Sequence, residues 1–379
     1  MGNLKYLHII RGFAAFYVAL GHAKVIFWVG GRQYMEKFSR ATWDFNDHLA
    51  FATDMFSSSA QEFVIVFFVL SGFFINHSFT INKWRMRDFY SARAIRIYLP
   101  YIASVFFALL VFLLISIINP VIFSGDLTRV IDQRIVASYN ELDISSFLLS
   151  VLFLPKADYI ACNFAYWSLF HEAVFYLLLP LIIRSKKSFY LVSLFLFLAS
   201  NLFKLNPPYL ITDFLFKYSI FFAFGFFLYD KVSTVNLNKL FIPYYLSYIF
   251  LLILFIVVII SGVLEIKPYS EVLAAVFTAF AIITIMNHAM KENKVTVFLM
   301  RLGDISYSLY VFHLPFYFLC YAILTSVTGR YTYYSRIYWF FIPLVLLFSY
   351  GMWRLIERPS LILIKKYKAS HLLNKKISI

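Results

Sequence analysis

An arginine and a histidine lie inside the first apolar run of the chain. Arg11 and His22 are eleven positions apart in the stretch RGFAAFYVALGHAKVIF. Eleven residues of α-helix make about three turns plus 20°, so both side chains would share one face, about 16 Å apart along the axis. Because either residue costs about 2–3 kcal/mol or more inside a membrane span unless it faces a polar interior, we expect both to point into a helix bundle. An imidazole there titrates in the range that suits a general base. The alternative is that Arg11 extends to lipid phosphate and that His22 is a packing residue.

A carboxylate lies in another apolar run, YWSLFHEAVFYLLLP. Glu172 is about one helical turn into this run, so it must be neutral, paired or hydrated. Trp167 and Ser168 fall at the outer boundary, where an indole can also stack on a sugar ring. The alternative is that Trp167 is an ordinary membrane-interface residue and that His171 and Glu172 contact loop water.

Small and basic residues mark two further stretches. FFVLSGFFI places Ser71 and Gly72 in mid-helix, where a neighbouring backbone or a ligand can approach closely. A helix-packing notch is the alternative. In SARAIRIYLPY, Arg93 and Arg96 are three residues apart, so an α-helix would project both from one face. Two neighbouring guanidiniums are suited to binding a phosphate or pyrophosphate. The alternative is that these arginines only anchor the helix at the cytoplasmic side of the membrane.

The last two spans also carry polar groups. RLGDISYSLYVFHLPFYF contains Tyr307, Ser308 and His313 close to Pro315. Proline removes a backbone hydrogen bond and its ring clashes with the carbonyl four residues earlier, so we expect a kink beside His313. The final span ends in WRLIERPSLIL. We interpret Glu357 there as a solvated helix end, with pairing to a basic residue as the alternative.

The composition is that of a membrane protein over nearly its whole length. Of the 379 residues, 62% are hydrophobic and only 14% are charged, which excludes an ordinary soluble domain. The net charge of +15 comes mostly from short segments between apolar runs, a pattern typical of cytoplasmic loops rather than of nucleic-acid binding. Cys162 and Cys320 form no ligand pattern, so no metal site is predicted.

Ten helix-length apolar runs position these residues. They lie near 5–27, 61–82, 97–118, 164–183, 188–205, 211–230, 241–262, 270–288, 301–325 and 336–357. We predict an all-α polytopic membrane protein of about ten transmembrane helices, with one membrane domain (1–360) and a short basic cytoplasmic tail (361–379). The run at 144–155 is too short to span and would be re-entrant or interfacial. The distribution of Lys and Arg places the N- and C-termini in the cytoplasm.

Taken in order, these motifs resemble the membrane-bound acyltransferase-3 family, the bacterial O-acyltransferases that modify surface polysaccharides. The motifs extend from Arg11 to Pro359, so the resemblance covers essentially the whole chain. It implies a multi-pass protein of the bacterial inner membrane. It also implies an acyl donor, usually acetyl-CoA, that enters from the cytoplasm, and an acceptor that is usually a glycan hydroxyl at the outer face.

The resemblance assigns roles by position. The catalytic candidates are His22, Arg11, Glu172 and His313. His22 matches the family's essential histidine, with Arg11 as its partner, and it could act as a general base or be acylated itself and relay the group. The candidates for binding the acyl-CoA donor are Arg93, Arg96, Tyr307 and Ser308. The candidates for binding the glycan acceptor are Trp167, Ser168 and Ser71. No metal is implied, and membrane lipid is the surrounding partner.

Two departures from the family pattern matter. Many members carry an acidic residue where Ile65 stands here, and Glu62 is the candidate to replace it. Some members carry a fused periplasmic domain that passes on the acyl group. We expect this chain to work without such a domain, and therefore to finish the transfer itself or to use a separate periplasmic partner. The residues predict no oligomeric state. Two rival functions stay open: a transporter or flippase of a lipid-linked glycan, and a polysaccharide polymerase.

Overall fold

The computed structural model describes residues 2–28, 30–82, 86–127, 129–205, 209–234, 243–288, 292–331 and 335–364. Every regular element in these ranges is helical. Nine helical segments within them are long and apolar enough to cross a membrane. The predicted all-α polytopic class is therefore confirmed.

Seventeen α-helices are present in the described part of the chain. They are α1 (Leu7–Phe27), α2 (Gly31–Lys37), α3 (Phe45–Phe56), α4 (Ala60–Asn82), α5 (Met86–Arg93), α6 (Leu99–Ile118), α7 (Val130–Asn140), α8 (Ile144–Val151), α9 (Trp167–Arg184), α10 (Lys186–Leu202), α11 (Leu210–Asp213), α12 (Ser219–Thr234), α13 (Tyr244–Val263), α14 (Tyr269–Asn287), α15 (Lys294–Asp304), α16 (Ser306–Thr328) and α17 (Phe341–Met352). Three π-helical turns join or extend them: Ala94–Tyr98, Phe214–Tyr218 and Trp353–Glu357.

Each predicted apolar run forms a helix, with instructive differences. The run at 188–205 becomes α10, whose 17 residues extend about 26 Å, slightly less than the hydrocarbon core of a bilayer. The run at 301–325 divides at Ile305, because α15 ends at the residue before it and α16 begins at the residue after it. The short run at 144–155 forms α8, which Asp143 caps through the Ser146 N–H at 2.7 Å. Residues 241–242 of one predicted run, and the predicted tail beyond 364, lie outside the described residues.

The long helices are apolar around most of their circumference, and lipid explains why. In α13, the described buried residues are only Ser247, Val258 and Ser261, and large apolar side chains cover the remaining surface. Backbone N–H and C=O groups find no partner in hydrocarbon, so a chain of this composition satisfies them within helices.

The first compact unit comprises Met1–Lys24, Gly30–Lys83 and Trp167–Ser306. Glycines allow its helices to approach closely. A Cβ atom on Gly72 of α4 would overlap the Phe222 carbonyl oxygen of α12, and one on Gly225 would overlap the Val69 carbonyl oxygen. The two helices therefore pack backbone against backbone, as small residues permit in membranes.

The second compact unit comprises Val25–Val29, Trp84–Tyr166 and Tyr307–Ile379. A buried ion pair lies inside it: Arg129 donates to both carboxylate oxygens of Asp132, each at 2.7 Å. Asn119, at the end of α6, donates to the Thr325 hydroxyl of α16 at 3.0 Å. Polar contacts of this kind fix helices that lipid alone would not hold in register.

Candidate functional site

The candidate residues are divided between the two units. The first unit contains Arg11, His22, Ser71, Trp167, Ser168 and Glu172. The second unit contains Arg93, Arg96, Tyr307, Ser308 and His313.

Arg11 contacts the turn between α15 and α16. Its Nε donates to the Ser306 hydroxyl at 2.8 Å, and its Nη2 donates to the Gly303 carbonyl at 3.0 Å. This approach depends on glycine, because a Cβ atom on Gly12 would lie 2.5 Å from the Gly303 nitrogen. The guanidinium therefore faces protein, as predicted, instead of extending to lipid.

His22 lies in the last part of α1 and is half-buried. The preceding residue, Gly21, meets the start of α4 so closely that a Cβ atom there would lie 2.6 Å from the Ala60 Cβ. Two residues after His22, Lys24 forms an ion pair with Asp54 at 2.9 Å. The turn of α1 that bears the imidazole is therefore held on both sides by the first unit.

Ser71 and Glu172 come together, although they belong to different motifs and different helices. The Ser71 hydroxyl donates to Glu172 Oε1 at 2.6 Å. The Tyr176 hydroxyl donates to the same oxygen and lies 3.3 Å from the Ser71 hydroxyl. Two donors thus fix one half-buried carboxylate inside a membrane-spanning helix. Sequence reasoning missed Tyr176, even though its position four residues after Glu172 on one helix face could have indicated it.

The start of α9 is an aromatic cluster. The Trp167 ring lies 5.2 Å from the Tyr218 ring and 6.0 Å from the Phe68 ring, and Trp167 is half-buried. Ser168 is buried. The alternative interpretation of His171 as a residue in contact with loop water is wrong, because its side chain is fully buried among rings.

The two candidate arginines of the second unit lie where an α-helix becomes a π-helical turn. Arg93 is the last residue of α5, and Arg96 lies inside Ala94–Tyr98. Both are half-buried, and the Arg93 guanidinium lies 5.4 Å from the centre of the Phe89 ring. A π-turn is wider than an α-turn, so the spacing of three residues does not place Arg93 and Arg96 on one face in the way that an α-helix would.

Tyr307 and Ser308 bind protein groups. The Tyr307 hydroxyl donates to the Ile97 carbonyl at 2.7 Å, next to Arg96. The Ser308 N–H and hydroxyl donate to one Glu357 oxygen at 3.1 and 2.6 Å. Glu357 is 2% exposed, so our interpretation of it as a solvated helix end is wrong. Its carboxylate joins the end of the last span to the start of α16.

His313 is fully buried in α16, and its Nδ1 lies 3.0 Å from the Leu309 carbonyl. Pro315 cannot supply the backbone donor that the Val311 carbonyl would otherwise receive. The Asn163 side chain supplies it instead, at 3.0 Å. Helix α16 is continuous through the proline. Asn163 is a second residue that sequence reasoning missed, because the two positions are 148 residues apart.

The acidic residue at the start of α4 is Glu62. It is 3% exposed and accepts a hydrogen bond from the Ser270 hydroxyl at 2.8 Å, whereas Ile65 is fully buried. A carboxylate therefore lies one turn before the position where many family members place theirs. Within the described ranges, no three or more His, Cys, Asp or Glu residues are grouped so as to hold a metal ion.

Comparison with known proteins gives one clear result. The model of the acyltransferase-3 family, described as an acyltransferase domain, matches residues 4–354, which is nearly the whole chain. No curated protein and no solved structure matches. Nine apolar helices in the described residues and this match over nearly the whole chain agree with a multi-pass membrane enzyme that transfers an acyl group from a donor to an acceptor. The chain belongs to the acyltransferase-3 family.

Proposed function

We propose that this protein is an O-acetyltransferase of the bacterial inner membrane. It moves an acetyl group from cytoplasmic acetyl-CoA to a hydroxyl of a cell-surface or exported polysaccharide, such as lipopolysaccharide O-antigen, capsule or exopolysaccharide. The observation that carries this proposal is the Ser71–Glu172–Tyr176 cluster, a fixed carboxylate inside a span of a chain that belongs to an acyltransferase family.

Arg93 and Arg96 are the proposed binding groups for the donor phosphates. Guanidiniums bind phosphate oxygens through paired, charge-assisted hydrogen bonds, which suits the several phosphates of coenzyme A. Both side chains are half-buried, so they keep access to a ligand. The Tyr307 hydroxyl holds the Ile97 carbonyl and thereby positions the turn that carries Arg96.

His22 is the proposed general base. Its imidazole takes the proton of the acceptor hydroxyl as the oxygen attacks the thioester carbonyl carbon. The carbon–sulfur bond then breaks, and the imidazolium returns the proton to the departing thiolate. Arg11 is the cationic partner on the same helix, and Glu172 orients the acceptor. If the imidazole instead carries the acetyl group as a covalent relay, labelled donor without acceptor will leave label on His22.

The test uses membrane vesicles that contain the protein, labelled acetyl-CoA and polysaccharide from the same cells that has been de-O-acetylated with mild alkali. Wild-type protein should place label in the polysaccharide, and His22→Ala should abolish it while the protein still inserts. His48→Ala is the matched control, since His48 is an exposed histidine of the same unit. Near-normal labelling by His22→Ala would contradict the assignment. Glycan movement or elongation without labelling would favour a flippase or a polymerase.

The donor site has its own test. Replacing Arg93 and Arg96 by alanine removes two charge-assisted contacts, so the donor KM should rise about tenfold or more. An unchanged donor KM would show that these arginines are only membrane anchors.

A further inference from the structure

A buried histidine that the proposed chemistry does not use lies next to Glu172. His171 has no exposed surface, and neither of its ring nitrogens has a hydrogen-bond partner among the described residues. A neutral imidazole offers one donor and one acceptor. Leaving both unpaired in a buried place carries the full desolvation cost of each, and native structures rarely keep such a group without a use.

Aromatic rings enclose this imidazole. Its centroid lies 4.6 Å from that of Tyr218, 5.5 Å from Trp167 and 6.2 Å from each of Phe68 and Phe214. We call these four rings the aromatic box. All of them and the histidine belong to the first unit. Of the box residues, Trp167 is the half-buried one, so an entering molecule would meet its indole first.

The backbone that supplies two of the rings is irregular. Phe214 and Tyr218 are the first and last residues of one π-helical turn. Such turns recur at functional sites because they redirect side chains that an α-helix would place elsewhere. Lys217 of the same turn forms an ion pair with Asp213 at 2.7 Å, so this part of the turn carries no net charge.

We propose that His171, Trp167 and Tyr218 form a subsite for one sugar ring of the acceptor glycan. A sugar combines an apolar face, which packs on aromatic rings, with hydroxyl groups, which can both donate to and accept from imidazole nitrogens. His171 directly precedes Glu172 in α9, so this subsite is on the same turn of helix as the carboxylate proposed to orient the acceptor. The inference rests on the proposed function and adds the residues that select the acceptor.

The experiment measures two KM values in the vesicle assay, with de-O-acetylated polysaccharide from the same cells and labelled acetyl-CoA as the probes. His171→Leu removes both nitrogens and fills the space with apolar atoms. The KM for polysaccharide should rise about tenfold, as for one lost hydrogen bond in a buried site, while the KM for acetyl-CoA stays unchanged. His171→Gln, which keeps a donor and an acceptor, should restore most of the difference.

The control is His48→Leu, the same substitution at an exposed histidine that also packs edge-on against a tryptophan, Trp43 at 5.3 Å. It should change neither KM. If His171→Leu does not reach the membrane, His171→Phe keeps a ring in the box and is read in the same way. Equal polysaccharide KM values for wild type and the variants would overturn the subsite and indicate that a buried water meets the nitrogens. Absence of labelling by the wild type would overturn the proposed function itself.

Discussion

The buried ion pair of the second unit permits a quantitative prediction. Arg129 donates to both oxygens of Asp132 at 2.7 Å, and its third contact is the Ile26 carbonyl at 2.9 Å. The two side chains are 4% and 1% exposed. The Tyr321 hydroxyl also donates to Asp132, at 3.1 Å. Charges that have lost this much water are stable only while they stay paired.

Asp132→Leu would leave the guanidinium buried without its carboxylate. Breaking a buried pair in this way costs about 3–5 kcal/mol, whereas replacing both partners by apolar groups is often neutral or stabilising. We therefore expect Asp132→Leu to lower the free energy of unfolding by about 4 kcal/mol. The double variant Arg129→Met/Asp132→Leu should recover most of that loss.

The position of Ile26 connects this pair to the candidate base. Ile26 lies in the last turn of α1, where carbonyl groups have no partner within the helix, and a cation there also complements the helix dipole. His22 is one turn earlier in the same helix. The double variant loses the Arg129 contact, so hydrogen exchange at the end of the helix that carries the imidazole should accelerate and acyl transfer should stay low even though stability recovers.

The assay is thermal unfolding of the detergent-solubilised protein, combined with hydrogen exchange in α1. Lys156→Met is the control, because its ion pair with Asp143 is 38% and 49% exposed and should contribute little. If Asp132→Leu and the double variant unfold at the same temperature, the buried guanidinium without its carboxylate costs no stability, and the reasoning fails.

Three further predictions follow from other contacts. Gly225→Ala should destabilise the protein by about 1–3 kcal/mol, because the new Cβ atom would overlap a carbonyl oxygen of α4. Gly351→Ala is the control and should not destabilise it, because no atom lies within 4 Å of a Cβ placed there. The measurement is the melting temperature of each variant. Tyr176→Phe should lower kcat about tenfold with the donor KM unchanged, because the Glu172 carboxylate loses one of the two hydroxyl groups that donate to it. Steady-state kinetics measure both constants, and an unchanged kcat would show that the hydroxyl has no part in the reaction. The Lys156 ammonium holds the pKa of Asp143 well below its usual range, and the Asp143 carboxylate caps α8 through the Ser146 N–H. The stability that this cap gives α8 is therefore complete above about pH 4 and is lost as pH falls through the lowered pKa. Hydrogen exchange in α8 should accelerate only in that acidic range, and Asp143→Asn should remove the dependence.

The sequence predicted the helices well because lipid imposes a simple rule. A run of apolar residues long enough to cross a bilayer has to satisfy its own backbone, so length and hydropathy alone place the spans. The ends were less predictable. One run divides at Ile305, between α15 and α16, where the Gly303 carbonyl and the Ser306 hydroxyl accept hydrogen bonds from Arg11. No local sequence pattern indicates these hydrogen bonds.

The candidate site was predictable residue by residue but not contact by contact. Ser71 and Glu172 stood out separately because a small residue and a carboxylate are unusual inside spans, yet their hydrogen bond joins positions 101 residues apart. The interpretation of Glu357 as a solvated helix end is wrong for the same reason. A carboxylate near a helix end normally meets water, and only its tertiary partner Ser308 shows that this one is buried.

The three π-helical turns in the described part of the chain position several of the residues discussed above. The first turn contains Arg96, and its Ile97 carbonyl accepts a hydrogen bond from Tyr307. The second contains Tyr218, whose ring packs against His171. The third contains Glu357, whose carboxylate accepts a hydrogen bond from Ser308. Because each turn departs from the regular helix, its side chains point where α-helical spacing would not place them. The hydroxyls of Tyr307 and Ser308 are engaged with such turns, so in the proposed enzyme they act on the donor by holding helices in position. We therefore expect a substitution at either hydroxyl to act through the neighbouring turn, and in the proposed enzyme the guanidiniums of Arg93 and Arg96 are the groups that would bind the donor phosphates.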